Sequence, residues 1–155
     1  MDTAQFTRFA PTGALSVEES IALAASADAV WRIVGSFADI EWHPAVKRCE
    51  VIEGIAGDAG TIRQVTTTAG AILIEELLWQ DDDRHVQVWR LEESPLPITN
   101  YVTELEVVPE GPHCRATWRG RFDSNDEGTD GDALAVVTDL YRAGLAALNE
   151  RFGSP

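Results

Sequence analysis

Four polar residues in this chain are of types that act on carbonyl compounds: His43, Arg63, Glu75 and Tyr101. His43 sits in "DIEWHPAV", between an amphipathic helix and a strand. An imidazole of ordinary pKa, about 6.5, exchanges protons at neutral pH, so His43 is either an acid–base group or a solvated, capping loop residue. Arg63 in "TIRQVT" and Glu75 in "ILIEELLW" fall on neighbouring strands joined by a tight turn, where they can pair across the sheet. A guanidinium steered by a carboxylate can bind a ligand carboxylate or polarise a ketone. Removing Arg63 is then expected to weaken binding more than folding. Tyr101 adds a hydroxyl to the set.

Other chemistries find no support. The histidines show neither H-x-H nor H-E-x-x-H spacing, and Cys49 and Cys114 lack a second pair, so no metal is expected. There is no G-x-S-x-G elbow, phosphate-cradling loop or dinucleotide fingerprint, and no cofactor is expected. The stretch "DSNDEGTDGD" at 123–132 lacks the ligand spacing and closing glutamate of a calcium loop. It reads as a solvated acidic turn, with Asp130 or Asp132 capping the helix that follows. His85 and His113 open strands and read as surface residues. The two separated cysteines read as reduced thiols, which points to the cytoplasm.

The elements that must position these groups follow from periodicity. The chain has 155 residues, enough for one domain, with 45% apolar and 25% charged residues. Its 26 acidic against 12 basic side chains give a net charge of −14. That charge repels phosphate backbones and anionic bilayers, which excludes nucleic acid and stable membrane association as partners. Residues 1–13 read as a flexible arm and 14–153 as one domain, acting as a monomer or homodimer. Residues 14–26 alternate as a strand. Ser26 then caps a short helix in which Val30, Ile33, Val34 and Phe37 share a face. Period two holds from Val46 to Asp123, in strands joined by glycine-bearing or acidic turns, with "SPLPIT" a proline loop. From Asp130 to Phe152 the period is helical: Leu134, Val137, Tyr141, Leu145, Leu148 and Phe152 form one stripe on a helix roughly 33 Å long.

Alternation also assigns faces. Ala116, Trp118, Gly120 and Phe122 point one way, as do Tyr101, Thr103, Leu105 and Val107, and Trp89 with Leu91. The parity of Val65 carries Arg63 inward, and that of Leu73, Leu77 and Trp79 carries Glu75 inward. A slip of one residue in either strand would instead expose its charge. Such an interior is too polar and bulky for a dry core and suits a cavity with a few polar anchors.

In order along the chain stand "SADAVW", then W-x-P-x-V from Trp42 to Val46, G-x-x-R from Gly60 to Arg63 and E-x-L-L-x-x-D-D from Glu75 to Asp82. P-L-P-x-x-N-Y from Pro95 to Tyr101 and W-x-G-x-F from Trp118 to Phe122 complete the series. With these fragments the chain resembles a bacterial member of the START/SRPBCC superfamily, in the polyketide cyclase/dehydrase and lipid transport group. The resemblance implies an α+β helix-grip fold: a curved, seven-stranded antiparallel sheet around a long C-terminal helix, with one or two short helices after strand one. It also implies an apolar cavity, with "EWHP" beside the entrance and the "SPLP" loop opposite as a lid. The expected contacts are Trp42, Pro44, Arg63, Glu75, Leu77, Trp79, Trp89, Leu91, Pro97, Tyr101, Thr103, Trp118, Phe122, Val137 and Tyr141. Each aromatic among them is equally readable as ordinary core. The chain departs from the family at Glu76, where relatives carry a basic residue.

Two functions fit. One is a carrier or sensor of a small hydrophobic, aromatic or polyketide-like molecule. The other is a cyclase, aromatase or dehydratase in which His43, Arg63, Glu75 and Tyr101 steer a poly-keto chain. The first is preferred, because no general base with a partner stands out. A third reading is an interaction domain with a filled core.

Overall fold

A computed structural model describes residues 6, 8–126 and 128–155. Seven strands form where apolar and polar residues alternate: β1 (Leu15–Leu23), β2 (Val46–Glu53), β3 (Ile62–Thr67), β4 (Ile72–Asp81), β5 (Val86–Glu93), β6 (Ile98–Glu110) and β7 (His113–Ser124). Helix α1 (Ala27–Val34) follows β1, and α2 (Asp130–Phe152) closes the chain. The strands make one curved antiparallel sheet in the order β1-β7-β6-β5-β4-β3-β2. Helix α2 lies on its inner face, packed mainly against β1 and β7. This is the helix-grip arrangement expected from the sequence.

Local signals explain the ends of the helices. The Ser26 hydroxyl accepts from the Ala29 amide to start α1, as the sequence suggested. At α2 the cap is Thr129, not Asp130 or Asp132. Asp132 instead completes a reciprocal box by accepting from the Thr129 amide. The inner cluster joins Trp89, Tyr101, Leu105, Trp118 and Phe122 of the sheet to Val137, Tyr141 and Leu148 of α2. A smaller cluster on the outer face holds Phe6, Val86, Val88 and Val102. Of the expected N-terminal arm, residues 1–5 and 7 lie outside the described residues.

One strand face departs from simple alternation. Leu77 pairs with Trp89 but Trp79 pairs with Val88, so β4 carries an extra residue at Leu78. The bulge turns Trp79 to the outer face, where it packs on the Phe6 cluster and lies under the Arg8 guanidinium at 5.2 Å. Before the bulge the parity holds: Arg63 pairs with Glu75 and both face inward. Glu76 faces outward and accepts from Arg90 Nη2 at 2.6 Å, a bond that holds its carboxyl below the usual range. Glu76 is therefore a surface charge, balanced locally by Arg90.

On the outer face Arg119 serves several carboxylates. Its Nη1 lies 2.6 Å from Glu104 and 3.6 Å from Glu106, and its Nε lies 2.8 Å from Glu18. Burial outweighs the attraction of Arg119 and pushes the Glu104 carboxyl up to about 7. A carboxyl raised in the folded state binds protons that the unfolded chain has already lost. Its contribution therefore falls as pH rises from about 4.5 to about 7. Glu104→Gln should raise the melting temperature more at pH 8 than at pH 5, measured by thermal unfolding in both buffers; an equal effect at the two pH values would contradict this account.

Candidate functional site

Between the inner face and α2 the structure keeps a cavity of about 60 Å³. Its wall is almost wholly apolar. Of the residues expected at a site, it brings together His43, Glu75, Trp89, Leu91, Tyr101, Trp118 and Tyr141. β3 and β4 add Val65, Thr67 and Leu73, and the connecting loops add Ile40, Ala45 and Leu96, with Val46, Ile98 and Leu140 at strand and helix positions. Val65 and Leu73 carry the same parity that brings in Arg63 and Glu75, so they were open to prediction. Ile40 and Leu96 lie in loops without periodicity, and no pattern marked them.

The other expected contacts lie elsewhere. Trp42 lines a separate groove beside Ala147 and Leu148, with its ring centroid 6.0 Å from that of Trp118, and Pro44 is exposed. Leu77, Phe122 and Val137 are wholly buried in packing. Pro97 stands in the loop behind Leu96 and Ile98, Thr103 lies one step behind Tyr141, and Trp79 is on the opposite face.

Arg63 and Glu75 form the polar centre, 1% and 7% exposed. Arg63 Nε donates to Glu75 Oε1 at 2.8 Å and Nη1 donates to the Phe37 carbonyl at 3.0 Å. The guanidinium carbon sits 4.0 Å from the centre of the Phe37 ring and 5.1 Å from that of Trp89. Trp89 Nε1 donates to Glu75 Oε2 at 3.3 Å. Glu75 stands at the cavity wall, and Arg63 lies behind it. The expected order of the pair is thus reversed: the carboxylate faces the cavity and the arginine holds it in place. Arg63 Nη2 is buried with no hydrogen-bond partner.

His43 is 3% exposed and has both ring nitrogens engaged. The Leu140 carbonyl, 2.7 Å from Nε2, can only accept, so Nε2 carries the proton. The Ala45 amide, 3.0 Å from Nδ1, can only donate, so Nδ1 accepts. Burial lowers the pKa below the ordinary value, which favours this neutral tautomer. His43 is a staple between the loop and α2 rather than a free base. Gly144 permits the staple, since a Cβ there would come within 2.8 Å of both the imidazole and Trp118.

A hydroxyl chain forms the remaining polar feature. Thr103 Oγ1 donates to the Arg119 carbonyl at 2.9 Å and accepts from Trp118 Nε1 at 3.0 Å. With its one proton used, Thr103 must accept from the Tyr141 hydroxyl at 2.7 Å. Tyr141 in turn accepts from Tyr101, also at 2.7 Å. Burial raises both phenol pKa values, so both stay protonated. The Tyr141 ring stacks on Trp118 with centroids 4.7 Å apart and planes 14° apart. Gly120 makes room for this chain, because a Cβ would stand 2.2 Å from Tyr141 Oη.

The arrangement can enclose an apolar guest, and it lacks a base poised over it. Among the described residues no cluster of His, Cys, Asp or Glu could hold a metal ion. A wider, more polar cleft of about 540 Å³ lies outside the 94–97 loop, and Leu91 and Ile98 line both spaces.

Comparisons with known proteins agree with this geometry. Residues 14–153 match the family described as polyketide cyclase / dehydrase and lipid transport. The solution NMR structure of a Thermobifida fusca protein is 34% identical, with a TM-score of 0.78, covering 89% of this chain and 93% of its own. XoxI from Bacillus cereus is 26% identical, with a TM-score of 0.81, covering 88% of this chain and 94% of its own. The Zhui aromatase/cyclase from a Streptomyces species is 18% identical, with a TM-score of 0.73 over 88% of this chain and 92% of its own, a likeness of fold. No curated protein matches the chain.

Because Arg63 is buried against Glu75, its loss should cost folding first. Arg63→Met is expected to destabilise by about 3–5 kcal/mol, by leaving a buried carboxylate without its partner. Arg63→Met combined with Glu75→Leu should recover most of that loss in urea unfolding. Simple additivity of the two single changes would contradict the pairing.

Proposed function

Since the chain belongs to the polyketide cyclase / dehydrase and lipid transport family, we propose that it binds a small hydrophobic or aromatic molecule in this cavity, as a carrier or sensor. The observation that carries this reading is the apolar wall of Trp89, Trp118, Tyr101 and Tyr141 beside a carboxylate already neutralised by Arg63. Such a wall offers area and shape to a guest, with few polar groups to orient it. At about 60 Å³ the space is smaller than pockets of roughly 300–1,000 Å³ that hold drug-sized ligands. Entry therefore requires movement of the 94–97 loop, with Leu96 leaving the wall and the cavity joining the outer cleft. This is the lid role expected of "SPLP". The free, buried thiols Cys49 and Cys114 suit a reducing compartment such as the cytoplasm. No helix among the described residues is long and apolar enough to cross a membrane.

A second reading, cyclisation or dehydration of a poly-keto chain, draws on the shared fold of the Streptomyces aromatase/cyclase and on Glu75 at the wall. It is the weaker one. His43 has no nitrogen available to take a proton, and the Glu75 carboxylate is held by Arg63 and Trp89.

Native mass spectrometry of protein purified from its own host should show a bound small molecule released unchanged on denaturation. Val65→Phe, which fills the cavity from β3, should abolish the adduct at a stability cost of about 1–3 kcal/mol. A bare protein mass from the host, or an adduct that survives the filling change, would argue against the cavity as the binding site.

A further inference from the structure

Resting on the reading that the cavity holds a guest, we infer that the guest is an uncharged aromatic alcohol of the phenol class, recognised as a hydrogen-bond donor. The side-chain protons around the wall, that of Thr67 apart, are already committed. Trp89 Nε1 donates to Glu75, Trp118 Nε1 to Thr103, and His43 Nε2 to the Leu140 carbonyl. Tyr141 donates to Thr103 and Tyr101 to Tyr141, an order imposed by the Arg119 carbonyl at the end of the chain. Every one of these donors is directed into the protein. The Thr67 hydroxyl at the rim already accepts from the Ala71 amide, and its own proton is the one side-chain donor on the wall without an assigned acceptor.

Acceptor capacity, by contrast, remains. Tyr101 Oη heads the hydroxyl chain and keeps its lone pairs, and each Glu75 oxygen accepts one hydrogen bond and has room for a second. A ketone or an ether brings only acceptors to a wall whose one uncommitted side-chain proton among the described residues is that of Thr67. A carboxylate brings acceptors and a second negative charge beside Glu75. An ammonium group would bury a net positive charge, because Arg63 already balances Glu75 at 2.8 Å. A phenol supplies one proton, no charge and a flat ring suited to Trp89 and Trp118. Among the described residues the buried nitrogens Arg63 Nη2, Trp42 Nε1 and His113 Nδ1 lack partners, but none of these residues is on the wall. The cavity is also below the roughly 150 Å³ that admits benzene in an engineered apolar core. A single ring therefore fits with the least displacement.

The test is calorimetric titration of the full chain with para-cresol, para-methylanisole, para-toluate, para-methylacetophenone, para-methylbenzylamine and toluene. Para-cresol should bind about 3- to 10-fold more tightly than para-methylanisole, with the toluate weakest. Tyr101→Phe should shrink the preference for cresol over the ether; the wild-type series decides the matter even if that variant folds poorly. Toluate, ketone or amine binding as tightly as cresol would overturn the inference and leave the cavity reading standing. Failure of every compound, toluene included, would overturn both.

Discussion

A guanidinium and a carboxylate held out of water on the inner face of a sheet are the constraint on which the remaining structure depends. Unpaired, either charge would cost several kcal/mol, so each must be surrounded by groups that replace its hydration. Arg63 and Glu75 meet that demand with each other, with the Phe37 carbonyl, with the indole proton of Trp89 and with two aromatic faces. These contacts tie β3 to β4, anchor the connection after α1 and fix the orientation of Trp89. The cavity wall inherits its shape from that set.

The opposite side of the cavity is held by contacts of another kind. Tyr141 stacked on Trp118, with its hydroxyl in the Thr103 chain, sets how near α2 approaches β7. Gly120 and Gly144 supply the clearance, one under the hydroxyl and one beside His43. His43 then ties its loop to α2 by donating to the Leu140 carbonyl. A residue whose type suggests catalysis is thus used for attachment, and the polar groups of the site consume one another's protons. That pattern favours holding a molecule over transforming it.

Much of this was legible in the residues. Alternation placed Arg63, Glu75, Trp89, Tyr101 and Trp118 on one face, and the order of strands and the long terminal stripe led to the fold. What escaped had physical reasons. The extra residue at Leu78 reverses the facing of Trp79, and a bulge leaves no mark in a run that is apolar on both parities. The acceptor for His43 Nε2 comes from a helix about a hundred residues away, beyond any local pattern. Leu96 and Ile40 reach the wall from loops, where period carries no information. Thr129 capped α2 from within an acidic run that drew attention to its aspartates instead.

The central claim is that an empty apolar space persists between the sheet and α2 beside a neutralised ion pair. Crystals of the protein held under xenon pressure test it most directly, because xenon enters dry apolar cavities and needs no chemical handle. The account predicts a xenon site bounded by Trp89, Trp118 and Leu73, with Arg63 and Glu75 in contact behind it. Density showing that volume filled by the protein's own side chains, with no xenon there and the two charges turned to solvent, would contradict it.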